Sequence, residues 1–491
     1  NIEDLRVISR TSVEKYRTNP KSIPEIAKEL NANYFVEGSG QKVGNKILLN
    51  IQLIEASTDK HLWAEQYSRE VTDIFDLQKE VAKNIANKIE AIITPEEEER
   101  IDKAPTDDLV AYDYFLKGLD LLNKSTLKDV KESIPYFAKA IDQDNEYARA
   151  YAAIAIAYYM LDDNQTEKIY ADSINNYADK ALLYDSQLPQ SLIAKGLFYM
   201  QNEEYELAVS YFEKVLEYNP NSDLVFIFLV DLYVNHIPDT EKYLEYALRG
   251  IEIDIAAYDS ITASYSFLHI SNAFIQNGFI REAEHYINKS LEYFPGNLFS
   301  QYVKAFILYA RNRDLNQTKD LLIETLNKDS TRYDILQEVG KICYYQRDYD
   351  GAYFYYKKYL NIKEALHLDI YKSENSKIGV VLSELGYEED SQKYFEEYKN
   401  YAENDKSIYK HMNMALYYSY RGDNANAMEQ LKMFSQENNY HYWTLIFVPI
   451  DPLVDSIKEL PEFKRIWDEL EIKFWNNHDR IQASLEEKGL I

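Results

Sequence analysis

A chain of 491 residues exceeds what one compact core usually holds, so it must divide into parts or repeat itself. Its 82 acidic against 54 basic residues give a net charge of −28, which repels nucleic-acid phosphates and anionic lipid, so direct nucleic acid binding by this segment is not expected. The single cysteine, Cys343, excludes an intramolecular disulfide, and no apolar run reaches the length of a membrane span or a signal-peptide core.

Residues 1–94 alternate between strand-like and helix-like patterns. Leu5 to Ile8 reads as a short buried strand. Ile23 to Leu30, with Pro24 in its first turn and Ile26, Ala27 and Leu30 on one face, predicts an amphipathic helix. Tyr34 to Lys42 reads as a strand ending in the turn Val43-Gly44-Asn45, with Gly38-Ser39-Gly40 as a bend or bulge too short for a nucleotide loop. From Lys46 to Ala56, Ile47, Leu49, Ile51 and Leu53 alternate with Leu48, Asn50, Gln52 and Ile54, which predicts a strand with one covered face. His61 to Tyr67 alternates again, with His61 structural. Asp73 to Ile93 carries Ile74, Leu77, Val81, Ile85 and Ile89 at helical spacing. An α+β domain of order βαβββα is expected.

The stretch Thr94 to Pro105, rich in glutamate and bounded by prolines, reads as a linker over 95–108 whose glutamates either extend a helix or, the preferred reading, stay solvated. From Leu109 to about residue 440 the chain repeats. In the clearest copy, Pro189 to Pro220, the small residues Gly196 and Ala208 let two antiparallel helices approach, Tyr199 and Phe212 fill the space between neighbouring pairs, and Pro220 ends the second helix. Aligned on the closing position, nine copies end near Asn145, Ser186, Pro220, Ile255, Pro295, Ser330, Glu364, Glu403 and Asn439, 34 to 41 residues apart. The widest copies carry longer turns, most visibly at Asp162 to Lys168. No copy can bury its apolar stripe alone, so the array must stack, with one concave and one convex face. Past Asn439, residues 441–491 read as a helical segment capping the last pair.

The offsets of Gly196, Tyr199, Ala208, Phe212 and Pro220 resemble the tetratricopeptide repeat, which implies a mainly α fold, a right-handed α-superhelix after the small α+β domain. Ahead of it, Ser9-Arg10-Thr11-Ser12, Glu37-Gly38-Ser39, Gln52-Leu53-Ile54, His61-Leu62-Trp63-Ala64 and Phe75 with Leu77-Gln78 and Ala82 resemble the TolB-like amino-terminal domain. In bacterial signalling proteins that domain commonly precedes such repeats. The resemblance implies an output domain upstream, such as a class III nucleotide cyclase or a DNA-binding domain, sometimes across a membrane anchor. The family's usual first strand and helix do not precede Leu5, which leaves either a domain truncated at its start or an open sheet edge as the expectation. Either side of a membrane, periplasmic or cytoplasmic, suits the chain.

Catalytic chemistry is not expected: HExxH, GxSxG, a phosphate loop and CxxC are all absent from the sequence. His236, His269, His285, His367, His411, His441 and His478 form no pair at metal-ligand spacing on one helix, so neither metal nor cofactor is expected. Cys343 falls at an aromatic position of the repeat and reads as a small buried hydrophobe. Most of the 45 tyrosines fill interior positions. Those left over, Tyr344, Tyr345 and Tyr420, fall late in the first helix of a pair, the helix that lines the concave face. By the same counting Asn235, His236, Asn272, Gln276, Arg311, Gln337 and Lys341 face the groove. Amides, aromatics and a few cations suit an extended protein or peptide partner, with Arg311 and Lys341 placed to hold a carboxylate. Each of these residues equally fits a bond between repeats. The expected function is a non-catalytic sensory or protein-interaction region of a bacterial regulatory protein. A constitutive scaffold or chaperone-like adaptor is one alternative, and the regulatory part of a cyclase is another.

Overall fold

A computed structural model describes residues 1–491 except 1, 3, 6, 9–12, 14, 15, 17–20, 31, 125, 163–167, 255–259 and 369, and for 252–254 the backbone alone. The Ser9 to Ser12 motif and the closing position at Ile255 therefore lie outside the described residues. The chain forms two compact units, the first comprising residues 1–237 and 252–258 and the second residues 238–251 and 259–491.

In the first unit, helix α1 (Ile23–Leu30) precedes an antiparallel sheet of order β1-β2-β3: β1 (Tyr34–Val43), β2 (Lys46–Glu55) and β3 (Lys60–Glu70). Gly44, at φ +63°, makes the β1–β2 turn. The expected bulge at Gly38–Gly40 is absent, because β1 pairs with β2 without interruption from Tyr34 opposite Glu55 to Val43 opposite Lys46. The register shifts instead between Leu53 and Ile54 of β2, against β3, which lets these two consecutive residues both be buried. Helix α2 (Ile74–Lys88) covers the sheet, Leu77 packing with Ile51 and Tyr67. It stops earlier than its apolar spacing predicts, where Glu90 turns left-handed at φ +58°.

The described positions among 5–8 form no strand, and Val7 is exposed, so the order here is αβββα rather than βαβββα. Of the two readings of the linker glutamates the helical one holds, while Glu96, Glu98 and Glu99 stay exposed. Residues Pro95–Asp102 form a helix, α3, because Thr94 and Glu97 build a reciprocal capping box and bury the Glu97 side chain.

Helices pair from there on. The first unit holds α4 (Leu109–Leu122) with α5 (Leu127–Gln143), α6 (Ala148–Asp162) with α7 (Ala171–Tyr184), α8 (Pro189–Gln201) with α9 (Tyr205–Tyr218), and α10 (Asp223–Asn235). The second holds α11 (Thr240–Asp254), then α12 (Ser260–Gln276) with α13 (Ile280–Tyr293), α14 (Leu298–Asn312) with α15 (Leu315–Lys328), and α16 (Tyr333–Tyr345) with α17 (Tyr349–Ala365). Pairs α18 (Asn375–Glu384) with α19 (Glu388–Asn404) and α20 (Lys410–Tyr420) with α21 (Asn424–Phe434) follow, then α22 (Tyr442–Phe447) and α23 (Pro461–Glu487). First helices of neighbouring pairs touch: α6 meets α4 and α8, α12 meets α14, and α16 meets α18.

One contact locks the pairs. A Cβ on Gly196 would lie 2.6 Å from Phe212, on Gly340 3.1 Å from Tyr356, and on Gly379 2.7 Å from Phe395. Gly118 meets Phe137 in the same way, at 2.6 Å. Fixed spacing missed it, because 19 positions rather than 16 separate it from its aromatic partner. Gly196→Val is therefore expected to cost about 1–3 kcal/mol through overpacking, read as a lowered urea midpoint. A change within error would mean that Phe212 yields freely.

Candidate functional site

The face formed by the first helices is where the groove is expected, and in the second unit the chain's own carboxyl-terminal segment fills it. Phe447 stacks between Tyr309 of α14 and Tyr345 of α16, ring centroids 4.9 and 5.0 Å away. Trp443 meets Phe306 edge-on at 6.1 Å. Arg313, left-handed at the end of α14, donates to the Tyr442 hydroxyl at 2.9 Å and lies over its ring. Arg347 pairs with Asp455 at 2.8 Å. Helix α23 then continues the contact along the unit. Lys473 donates to the carbonyls of Ser435, Gln436 and Glu437 beyond α21, His478 bonds the Asn277 carbonyl at 2.8 Å, and Arg480 and Lys488 pair with Glu241 and Glu245 of α11. The expectation of a cap on the last pair thus describes only the first part of α23, from Glu462, which meets Lys432, to Lys473.

Several expected groove residues consequently have no open space before them. Tyr344 is fully buried and donates its hydroxyl to Asp451, and burial beside that carboxylate pushes the phenol well up. Tyr345 lies under Phe447. Gln337 is buried, and Lys341 pairs with Glu338 at 2.6 Å. Arg311 is exposed, but its guanidinium is held by both carboxylate oxygens of Glu284 at 2.8 Å. Tyr420 stacks on Phe395 at 3.7 Å. Asn272 and Gln276 are half-buried on α12. In the first unit, Asn235 and His236 stay exposed at the end of α10, the amide on Asp231 at 2.7 Å and the imidazole stacked on Tyr205 at 4.0 Å. The aromatic surplus was legible, but its partner was the chain itself.

Beneath the segment lies a buried ionic cluster. Burial pushes up the carboxyl of Glu338 despite Lys341, and that of Asp451 despite Lys377. For Glu374, burial is outweighed by Lys377 and Lys341, which hold its carboxyl down; it accepts from Lys377 at 2.9 Å and from the Tyr356 hydroxyl at 3.0 Å. Cys343 is buried and its thiol is pushed up to about 11, which leaves it inert. Among the described residues no group of three or more His, Cys, Asp or Glu is placed to hold a metal ion, and no helix is long and apolar enough to cross a membrane.

His441 opens the segment, with its ring edge-on to Tyr409, and burial holds its imidazole down to about 4. The unfolded chain takes up a proton near pH 6.5 and the folded one does not, so the stability that the neutral ring contributes is fully present above pH 6.5 and is lost as pH falls towards 4. Glu338 and Asp451, raised in the fold, act in the opposite sense on acidification. Comparing the native chain with His441→Gln isolates the histidine: the difference between their urea stabilities should change by about 2 kcal/mol between neutral and acid pH. A constant difference would place the ring in contact with solvent.

These stacked helix pairs define a mainly α repeat solenoid carrying a small α+β domain. The tetratricopeptide-repeat profile matches residues 189–222. A protein of Rhizobium meliloti (strain 1021) named putative adenylate cyclase 3 is 30% identical over 192 residues, 38% of this chain and 33% of the relative. The match thus spans about a third of that relative's length. Among solved structures, YrrB, described as a TPR protein with an unusual peptide-binding site, is 21% identical, with 41% of this chain and 95% of that one covered and a TM-score of 0.35. Yeast Tom70 is 13% identical, with 74% and 84% covered and a TM-score of 0.31.

Proposed function

We propose that this chain is the non-catalytic sensory and protein-interaction region of a bacterial signalling or transcription-regulatory protein. In this reading the repeats bind a protein, peptide or small ligand, and the α+β domain, TolB-like in its motifs, passes the change to an output domain. One observation supports the relay most: the connector is fastened at both ends. Lys83 of α2 pairs with Glu98 and Asp102 of α3, at 2.9 and 2.8 Å, and just past α3 Lys103 pairs with Asp185 at 2.7 Å. Phe75 of α2 also meets Tyr112 of α4 edge-on, centroids 4.9 Å apart. A change in the repeat turns therefore has a short mechanical route to the sheet domain.

A second reading, regulation of a nucleotide cyclase, is favoured by the name of the Rhizobium relative. Both are tested in the native gene by measuring output, including cyclic nucleotide production. Lys103→Glu and Asp185→Lys should each disturb regulation, and the double exchange should restore it. Unaltered regulation in both single variants would remove the relay, and absent cyclic nucleotide production would remove the cyclase reading.

A further inference from the structure

Where the connector docks in the first unit, it roofs a cavity of about 290 Å³. Three successive inter-pair turns contribute to it: Arg149 at the start of α6, Tyr184 and Gln190 around the entry to α8, and Tyr218 at the end of α9. From above come Arg100 of α3 and Lys103. Three cations thus converge in a chain of net charge −28.

Their counter-charges fall short. The carboxylates lining the cavity are Glu146 and Asp185. Asp185 is taken up by Lys103 at 2.7 Å and by the Gln187 amide at 3.2 Å, and Glu146 is exposed. Among the described residues neither Arg100 nor Arg149 has a carboxylate within ion-pair distance, and the Nε of Arg100 is buried with no acceptor. A desolvated guanidinium N–H without a partner is costly, and a bidentate anion is the group that satisfies it best. Helix α8 also enters the cavity wall with Pro189 at its first position and no side-chain cap, so the positive end of its dipole adds to the field.

We infer that this cavity is a binding site for a small organic anion, a carboxylate or phosphate ester with a flat body lying against Tyr184 and Tyr218. Its volume is at the lower end of small-molecule sites, which excludes a folded partner and favours a metabolite-sized ligand. The inference rests on the sensory reading and deepens it, because the site joins the repeat turns to the connector: a ligand that bridges Arg149 and Arg100 ties the two together.

Isothermal titration calorimetry of the whole chain at low ionic strength, with phenyl phosphate, benzoate and inorganic phosphate as probes, tests the site. Saturable one-to-one binding of phenyl phosphate or benzoate is expected, the preferred probe identifying phosphate or carboxylate recognition. Arg149→Gln should weaken it about tenfold or more, and so should Gln190→Glu, an exposed position that adds negative charge to the cavity without disturbing the fold. No saturable heat for any probe, or binding unchanged in both variants, overturns the proposal. Hydrogen exchange with the bound probe separates it from the relay. Protection of Pro95–Asp102 without any change in Ile74–Lys88 would leave the anion site standing and the relay refuted.

Discussion

Phe447→Ala is expected to lower the stability of the second unit by about 3 kcal/mol. The ring is only half-buried, so area alone predicts less than a full core truncation. Its geometry adds the rest. Phe447 stacks nearly parallel to both Tyr309 and Tyr345, at 14° and 17°, and meets Phe306 and Trp443 at 6.0 and 6.1 Å. Each such aromatic pair contributes about 0.5–1.5 kcal/mol beyond burial. Removing the ring therefore uncouples α14 from α16 as well as opening a cavity. The readout is built in: of the four tryptophans, Trp443, Trp467 and Trp475 lie in this segment, and Trp63→Phe silences the fourth. Urea unfolding followed by tryptophan fluorescence should show a lowered midpoint. A loss below about 1 kcal/mol would mean that the segment rests on the first helices without being held by them.

The repeats were legible because their pattern is local. Gly196 and Phe212, or Gly379 and Phe395, sit at one spacing, and the physics that joins them acts within a single helix pair. Strands β1 to β3 were legible for a similar reason, since turn chemistry at Val43-Gly44-Asn45 and period-two alternation act over a few residues. The bulge at Leu53/Ile54 was not, because it depends on which face of β2 the helix α2 covers. The helix in the connector was the less favoured of its two readings because high charge usually means solvation. Here the two bonds between Thr94 and Glu97 were enough to start a helix.

Groove residues were harder still. Which helix faces inward follows from the repeat, but whether the space before it is empty depends on contacts across 100 positions or more, such as Tyr344 with Asp451 or Arg313 with Tyr442. No periodicity records such a pairing. The paired charges went the same way: Arg311 in the sequence is an available cation, and in the fold its charge is already taken by Glu284. Arg100 and Arg149, which have no carboxylate partner among the described residues, lie about 50 residues apart in sequence. They meet only because a helix forms where a linker was expected.

The second large effect is expected at Asp451, and it separates a hydrogen-bond acceptor from a charge. The side chain is 3% exposed. It accepts from the Tyr344 hydroxyl and, at 2.9 Å, from the amide of Leu453, so that it caps the short turn Pro452–Val454 while tying it to α16. Asp451→Ala leaves a buried phenol and a buried amide without acceptors, each worth about 1–3 kcal/mol, so a loss of about 3–4 kcal/mol is expected. Asp451→Asn keeps one carbonyl oxygen and removes the ionisation that burial opposes; because burial holds the carboxyl above its usual range, the charge itself adds little. Asparagine should therefore cost under about 1 kcal/mol at neutral pH. Comparable losses in both variants would show that the carboxylate charge, through Lys377, is what holds the segment in place. Near-native stability of the alanine variant would show that Tyr344 finds another acceptor, and the segment would then be held by its aromatic residues and ion pairs without Asp451.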